Sequence, residues 1–296
     1  MKLYIYAQSG HAFGLEKVRK ASVIAKKLEK YNPILATADY RAATYAKEHL
    51  GVNKGVGIDV LTNLPHMMNR GDFLVFDSNE ANDFTKEHMN DFCSLLYEVG
   101  QDNLNSIIVD DLYKDHLKDN HTIEKLFYYG DDDYINILLN QAKNEEVKHD
   151  ISLLMGHYMF LGDEDKLKPF FSLIIDEEEY NDTIKESKNI LTGSEQTALE
   201  AIANNSNVVL LQRDDKNYIH LDLLQQCNVP IIEKNDKSLN EIFKEFDSIC
   251  ENYPQIKRDI FTQFDTDIKN ILEDLSKFDK LIELTKHQIL PQDMNV

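Results

Sequence analysis

Two glycine turns, each between an apolar run and a helix pattern, constrain this chain more than any other feature of its sequence. The first turn holds Gly10 and Gly14, and the second places Gly193 and Ser194 directly after the apolar residues 189–191. Glycine lets backbone N–H groups approach a ligand, and the positive end of the following helix favours an anion there. Two such turns in two similar halves predict a ligand cleft between them.

Length and charge narrow the class of protein. The 296 residues are 42% hydrophobic and 28% charged, so the chain can bury a sizeable core, and its length fits two domains. The net charge is −20, from 52 acidic and 32 basic residues. Such a charge disfavours both a nucleic-acid backbone and an anionic membrane surface as partners. No apolar run reaches the roughly 20 residues of a spanning helix, so we expect no membrane insertion.

The cysteines indicate a reducing compartment. Cys93, Cys227 and Cys250 are few, scattered and odd in number. This pattern is typical of reduced thiols, and it fits neither a disulfide framework nor a zinc site. No signal-peptide core precedes the first apolar run. We therefore expect a cytoplasmic protein. No cofactor is predicted, and no recognised ligand spacing predicts a metal.

Short apolar runs alternate with amphipathic stretches along the chain. Strands are predicted at residues 3–7, 34–38, 57–61, 73–77 and 106–110, and then at 125–129, 151–155, 171–175, 189–191, 208–212 and 229–232. Helices are predicted between them, including residues 87–100 and 134–148. Crossover helices must cover both faces of a parallel sheet. We predict an α/β fold with two Rossmann-like doubly wound domains, residues 1–120 and 121–253.

A C-terminal helical extension is predicted at residues 254–296. Its apolar residues recur at helical spacing as far as about residue 287, which predicts one apolar face. That face is expected to pack across a domain or against a protein partner.

Four segments resemble the GT-B nucleotide-sugar enzymes. They are residues 10–21, 125–133, 153–156 and 192–201. This family includes the N-acetylglucosaminyl transferase of peptidoglycan synthesis and the UDP-sugar hydrolase of pseudaminic acid biosynthesis. The resemblance spans most of residues 1–250. It implies a GT-B-like fold in which a UDP-sugar binds between the two domains.

The resemblance also implies a nucleotide site at the second glycine turn. Glu200 matches the family glutamate that binds the ribose hydroxyls, and a carboxylate can accept both of their protons. The phosphate oxygens of the nucleotide would lie beside Gly193, Ser194 and Thr197. The structural alternative is that Ser194 merely caps a helix and Glu200 lies on its solvated face.

The first glycine loop departs from the family pattern. Where the relatives carry a histidine three residues after the helix-opening glycine, this chain has Lys17. A lysine at its ordinary pKa, near 10.4, is protonated and cannot accept a proton. Lys17 is expected either to steady a diphosphate beside Gly10 and Gly14 or to project into water. His11, on the same loop, is either a general base that reaches the cleft or an incidental loop histidine.

Acidic residues follow two of the predicted strands. Asp110 lies at the carboxyl edge of the first predicted sheet, so it is either a second candidate base or a turn-forming residue. Residues 131–133 are all aspartate and follow Gly130 in the segment similar to the family's phosphate loop. Three carboxylates there would repel a diphosphate.

Three hypotheses about function follow. The first is an enzyme that transfers or hydrolyses the glycosyl group of a UDP-sugar, with Glu200 on the ribose and His11 or Asp110 as the base. The second is a catalytically degenerate GT-B-like binding or scaffolding protein, indicated by Lys17 and residues 131–133. The third is an unrelated α/β fold that binds another nucleotide. The sequence leaves open whether catalysis is retained, and whether it is transfer or hydrolysis.

Overall fold

The computed structural model describes residues 1–100, 107–114, 121–160, 162–257 and 266–288, the last eight by their backbone alone. Its first sheet has five parallel strands in the order β3-β2-β1-β4-β5. The strands are β1 (Leu3–Ala7), β2 (Ile34–Thr37), β3 (Gly55–Gly57), β4 (Phe73–Asp77) and β5 (Leu95–Glu98). The helices between them are α1 (Glu16–Lys27), α2 (Tyr40–His49) and α3 (Asp83–Phe92).

The central strand β1 shows why helices cover both faces of this sheet. All five of its side chains are buried. Leu3, Ile5 and Ala7 belong to one hydrophobic core, while Tyr4 and Tyr6 belong to another. Successive side chains of a strand point to opposite faces, so β1 contributes to a core on each side of the sheet.

The second sheet has six parallel strands in the order β11-β10-β9-β6-β7-β8. The strands are β6 (Ile123–Tyr128), β7 (His149–Leu154), β8 (Phe171–Ile175), β9 (Ser187–Thr192), β10 (Asn207–Gln212) and β11 (Ile231–Glu233). The helices are α4 (Ile137–Ala142), α5 (Asp163–Leu167), α6 (Tyr180–Glu186), α7 (Glu195–Ala203), α8 (Leu221–Gln226) and α9 (Leu239–Glu251). The predicted α/β class with two Rossmann-like sheets is confirmed.

The last helix returns to the first sheet. Helix α10 (Thr266–Gln288) places Ile268, Ile271 and Leu275 in the same core as β1. The ring of Phe278 lies 5.0 Å from the ring of Phe73, centre to centre. The apolar face of α10 therefore packs within this chain. The protein partner predicted for this face stays a prediction.

The prediction of a single helix over residues 87–100 was wrong. The chain forms α3, which ends at Phe92, and then strand β5 at the sheet edge. In β5 the side chains of Leu95 and Tyr97 are buried, whereas Leu96 and Glu98 are only partly buried. The apolar residues of this segment fit both the spacing of a helix and the alternation of a strand. Pairing with β4 makes it a strand.

Three further predicted elements differ. The strand predicted at residues 57–61 is β3, which ends at Gly57, and a short 3-10 helix begins at Leu61. Residue 106 lies outside the described residues, and residues 107–110 form no named strand, although Ile107, Ile108 and Val109 are buried. The helix predicted at residues 134–148 is shortened to α4. Residues 143–148 are mostly polar, so a longer helix would have had no apolar face to bury. In the described part of the chain, no helix combines the length and apolarity that crossing a bilayer requires.

Candidate functional site

Helix α1 lies between the two sheets and carries the main polar contacts across them. Arg19 of α1 forms an ion pair with Asp131 of the loop after β6, with 2.5 Å between Nη1 and Oδ2. The guanidinium carbon of Arg19 also lies 3.8 Å from the ring centre of Tyr180. Arg19 is 4% and Asp131 3% exposed. The Arg19 charge outweighs the effect of burial and holds the pKa of Asp131 down at about 2.

Three helix starts near this interface hold carboxylates of the protein itself. Asp131 accepts the Leu15 N–H at the start of α1, at 3.3 Å. Glu16 lies beside Ser194 at the start of α7, and its Oε1 lies 2.6 Å from the Nζ of Lys216. Asp133 accepts two backbone N–H groups at the start of α4. The positions predicted for phosphate are thus occupied by carboxylates in this structure.

The predicted ribose ligand Glu200 lies inside this interface. It is 2% exposed, and its carboxylate accepts hydrogen bonds from Tyr180 Oη at 2.6 Å and Gln196 Nε2 at 2.9 Å. Burial raises its pKa above the ordinary value. The hydroxyl of Tyr180 also lies 2.6 Å from that of Thr197. Both carboxylate oxygens of Glu200 therefore have protein partners here.

The second glycine turn is closely packed. The side chain of Ser194 accepts from the Thr197 N–H at 3.1 Å and caps α7. A Cβ atom on Gly193 would lie 2.4 Å from the Tyr129 carbonyl oxygen. Only glycine fits at that position, because the loop after β9 crosses directly over the end of β6.

The first glycine loop closes on itself. Gly14 donates its N–H to the Gly10 carbonyl at 2.8 Å, and both residues have positive φ angles, 129° for Gly10 and 66° for Gly14. These are backbone conformations that side chains disfavour. The loop therefore needs its glycines for its shape, and it presents His11 on an exposed bend.

Lys17 is tied to the first sheet. Its ammonium donates to Asn79 Oδ1 at 2.8 Å and to Gln8 Oε1 at 3.2 Å, and it lies 3.5 Å from the Asp77 carboxylate. Burial lowers the pKa of Lys17. It does not project into water, since its side chain is only 13% exposed.

Asp110 and His11 lie at opposite ends of α1. Asp110 forms an ion pair with Lys26, near the C-terminal end of the helix, and caps the short turn that follows it. Lys26 is ten residues beyond Glu16, which corresponds to about 15 Å along the helix axis. The structure does not bring the two predicted bases together.

A cavity of about 320 Å³ opens between the two halves of the chain beside His11. Its walls come from the loop after β1, the first turn of α2, the segment from the end of β7 into α5, and the turn after β8, so it lies at the carboxyl ends of strands from both sheets. In open α/β folds this is the edge where ligands bind. The walls include His11, Arg41, His157, Tyr158 and Glu177.

Tyr158 organises this cavity. The ring of His11 lies 5.0 Å from its ring, centre to centre, and the guanidinium carbon of Arg41 lies 5.4 Å from it. The Tyr158 hydroxyl donates to Asp39 Oδ2 at 2.6 Å. Arg41 donates to the His157 carbonyl at 3.0 Å. The wall is thus held by hydrogen bonds between the two halves.

His157 is a buried member of this wall that sequence reasoning missed. It is 8% exposed, and within the part of the chain that the structure describes neither ring nitrogen has a hydrogen-bond partner. Burial lowers its pKa to about 4, so its imidazole is neutral at pH 7. The position of Gly156-His157-Tyr158 directly after an apolar strand was the available signal. Arg19 and Arg41 were also missed, because surface helix positions and interface positions look alike in a sequence.

Two parallel sheets with Rossmann-like connections, joined across a polar interface with a cavity at their carboxyl edges, define a two-domain fold of the GT-B type. Solved structures share this fold. The UDP-GlcNAc 2-epimerase of Methanocaldococcus jannaschii, solved with UDP-GlcNAc and UDP, is similar with a TM-score of 0.57 and 12% identity, over 94% of this chain and 100% of that chain. A Listeria monocytogenes protein assigned as a UDP-N-acetylglucosamine 2-epimerase is similar with a TM-score of 0.52 and 12% identity, over the whole of both chains.

At 12% identity this likeness establishes the fold. The predicted GT-B-like architecture is therefore confirmed, and the nearer resemblance to a particular transferase or hydrolase stays a prediction. No protein-family model matches the sequence, and neither does any curated protein.

Proposed function

We propose that this chain is an enzyme that acts on a nucleotide sugar, with a UDP-sugar as the first candidate, in the cleft between its two sheets. The observation that carries the proposal is the cavity beside His11, which takes its walls from both sheets at their carboxyl ends. The fold shared with an enzyme solved with UDP-GlcNAc and UDP supports the choice of ligand.

The sugar end of the substrate is assigned to the cavity, and the nucleotide end to the second glycine turn. Gly193, Ser194 and Thr197 would meet the phosphates, and Glu200 the ribose. Strands β7, β6 and β9 are successive neighbours, so the cavity and Ser194 lie about two strand spacings apart, roughly 10 Å. Helix α1 has to move for the nucleotide to enter, because Glu16 and Arg19 cover this corner.

His11 is the proposed base. Water or an acceptor hydroxyl attacks the anomeric carbon, the bond from that carbon to the phosphate oxygen breaks, and UDP leaves with the electron pair. His11 accepts the proton of the attacking oxygen. Gly10 and Gly14 shape the loop that presents His11, and Lys17 ties the following helix to the first sheet. Asp110 has no place in this step, since it lies at the far end of α1.

A thermal-shift panel tests the ligand class. UDP, UDP-sugars, GDP, CMP-sugars and NAD are compared, and a ligand at one hundred times its dissociation constant should stabilise the fold by about 2.7 kcal/mol. We expect uridine compounds alone to shift the melting curve. If they leave it unmoved, the proposal is wrong. If they bind and no UDP-sugar is consumed with any acceptor, the binding-protein hypothesis replaces the enzyme.

A further inference from the structure

Lys216 lies at the nucleotide corner of the proposed site, on the loop of residues 213–220 between β10 and α8. Its Nζ lies 2.6 Å from Glu16 Oε1 and 3.5 Å from Asp132 Oδ2. Glu16 in turn lies beside Ser194 at the start of α7. The side chain of Lys216 is 13% exposed and that of Glu16 is 20% exposed. A largely buried ammonium is thus held against a carboxylate at the place where the proposed function puts a phosphate.

The protein fixes this loop near both of its ends. Near its start, the Arg213 N–H donates to Tyr218 Oη at 2.8 Å. Near its end, the carboxylate of Glu195 accepts the N–H groups of Ile219 at 2.8 Å and His220 at 2.6 Å. Glu195 is the first residue of α7, so these two hydrogen bonds tie the loop directly to the helix start. The backbone that carries the lysine therefore stays beside α7 when α1 moves.

Glu16 makes the contacts that a phosphate would make. Its carboxylate lies at the positive end of a nine-residue helix and accepts from the Lys216 ammonium. Burial favours the protonated form, but the Lys216 charge keeps the pKa of Glu16 below its ordinary value, so this group is an anion at pH 7. The structure therefore already contains an anion bound by Lys216 at the start of α7.

Glu16 is also the anion that can leave this corner. It is the first residue of α1, a helix of the first sheet, whereas Lys216 belongs to the second. The other carboxylate near Lys216, that of Asp132, keeps its own partner, because Arg213 Nη1 lies 2.6 Å from its Oδ1. An ammonium has three donors. When Glu16 leaves, Lys216 therefore has a donor and an unbalanced positive charge to offer an incoming anion.

We propose that Lys216 is a phosphate-binding residue of the nucleotide site, and that Glu16 occupies its ammonium until the diphosphate of the nucleotide replaces it. This inference rests on the proposed function, because it concerns the phosphate end of the same ligand. It gives the diphosphate a charged partner that the sequence analysis did not identify. It also makes Glu16 an internal competitor of the ligand.

Calorimetric titration with UDP tests this inference on the parent, Glu16→Gln, Lys216→Met and the double variant. If Lys216 binds a phosphate, Lys216→Met should weaken UDP binding by about 10- to 100-fold in the Glu16→Gln background, where no carboxylate competes. If Lys216 only neutralises Glu16, the same substitution has no effect in that background, and the inference is overturned. The double variant removes both members of the ion pair, so this comparison leaves neither charge buried without its partner.

Uridine separates a phosphate contact from a general disturbance of the corner. In the Glu16→Gln background, Lys216→Met should leave uridine binding within about twofold, because uridine has no phosphate for the lysine to bind. Equal losses for uridine and UDP would assign Lys216 a structural role and overturn the inference. The matched control is Lys188→Met, which removes an exposed lysine that pairs with Glu124 at the amino end of β9. It should bind UDP like the parent.

Inorganic pyrophosphate distinguishes failure of this inference from failure of the proposed function. Glu16→Gln should bind pyrophosphate, and the double variant should bind it at least about tenfold more weakly. If pyrophosphate shows this difference while UDP binds to none of the four proteins, the nucleotide assignment fails and the phosphate site at Lys216 stands. If UDP binds equally to Glu16→Gln and the double variant, the proposed function stands and the role of Lys216 is wrong. If Glu16→Gln binds neither ligand, both are wrong.

Discussion

Arg19 and Asp131, 112 positions apart in the sequence, form a buried ion pair that joins the helix of the first sheet to a loop of the second. Asp131 Oδ1 accepts the backbone N–H of His157 as well as a hydrogen bond from Arg19 Nη2, so the same carboxylate also holds the cavity wall. The Arg19–Asp131 ion pair thus holds polar groups on both sides of the cleft. The pair sets the relative position of the predicted nucleotide corner and the cavity.

Breaking this pair should destabilise the fold strongly. Asp131→Asn leaves the Arg19 guanidinium buried without its counter-charge, and we expect the free energy of unfolding to fall by about 3 kcal/mol. Urea denaturation measures the change. The matched control is Asp165→Asn, which breaks the exposed pair with Lys168 and should change stability by less than about 0.5 kcal/mol. Similar effects of the two substitutions would contradict the assigned burial of Arg19 and Asp131.

His157 should make stability depend on pH. Burial lowers its pKa from the ordinary 6.5 to about 4, so the unfolded chain binds a proton that the folded chain excludes. The stabilising contribution is complete above pH 6.5 and is lost as the pH falls through 4. Between those limits the free energy of unfolding should decrease by about 3 kcal/mol from this group. Urea midpoints at pH 4, 5, 6 and 7 measure the slope, and subtracting the His157→Phe slope isolates this group from the carboxylates. Parallel slopes for the two proteins would rule this contribution out.

Removing the carboxylate of Glu16 should favour nucleotide binding. In the structure this carboxylate occupies the start of α7 beside Ser194 and Lys216, where the proposal puts a phosphate. Glu16→Gln takes away a negative charge that an incoming diphosphate would otherwise meet, and we expect UDP to bind about fivefold more tightly. Calorimetry with UDP measures the gain, with the exposed Glu87→Gln on α3 as control. Weaker UDP binding in Glu16→Gln would contradict a phosphate site at the start of α7.

Glu200 should contribute to folding as well as to ligand binding. Glu200→Ala removes one acceptor each from the Tyr180 hydroxyl and the Gln196 amide, and should lower the free energy of unfolding by about 1–3 kcal/mol. The hydroxyl keeps Thr197 and the amide keeps the Ile108 carbonyl as partners. Glu200→Gln keeps one acceptor oxygen and should fold closer to the parent. Comparing UDP affinity in Glu200→Gln with that of the parent then separates the ribose role from the structural one. An unchanged affinity would remove Glu200 from the proposed nucleotide site.

Local patterns predicted most of this fold. Strand β1 is an uninterrupted apolar run that ends at the Gly10 loop. Strand β8 was predicted with its observed bounds, because Pro169 lies shortly before it and Asp176 follows it directly. Strand β5 was misread, since a short edge strand has the same apolar content as a helix end. Its identity depends on pairing with β4, which no local window contains.

The site was less predictable because its contacts join distant parts of the chain. Nothing near Arg19 in the sequence shows that it meets Asp131, and nothing near Glu200 shows that Tyr180 occupies its carboxylate. The aspartates at 131–133 were expected to repel a diphosphate. In the structure Asp131 and Asp132 have arginine partners, Arg19 and Arg213, supplied from other elements. Pairing with residues far away in the sequence sets their charge environment, and sequence spacing does not encode it.

Release of UDP from a UDP-sugar by the purified chain is the most direct measure of the proposed function. We predict saturable turnover in the parent. The control His88→Ala, which changes an exposed histidine of α3, should retain that turnover. His11→Ala should reduce it at least about a hundredfold, as expected when a general base is removed. Binding of UDP should persist in His11→Ala. Absence of UDP release from the parent with every UDP-sugar and acceptor, or equal turnover in His11→Ala and His88→Ala, would contradict a reaction centred on the cavity between the two sheets.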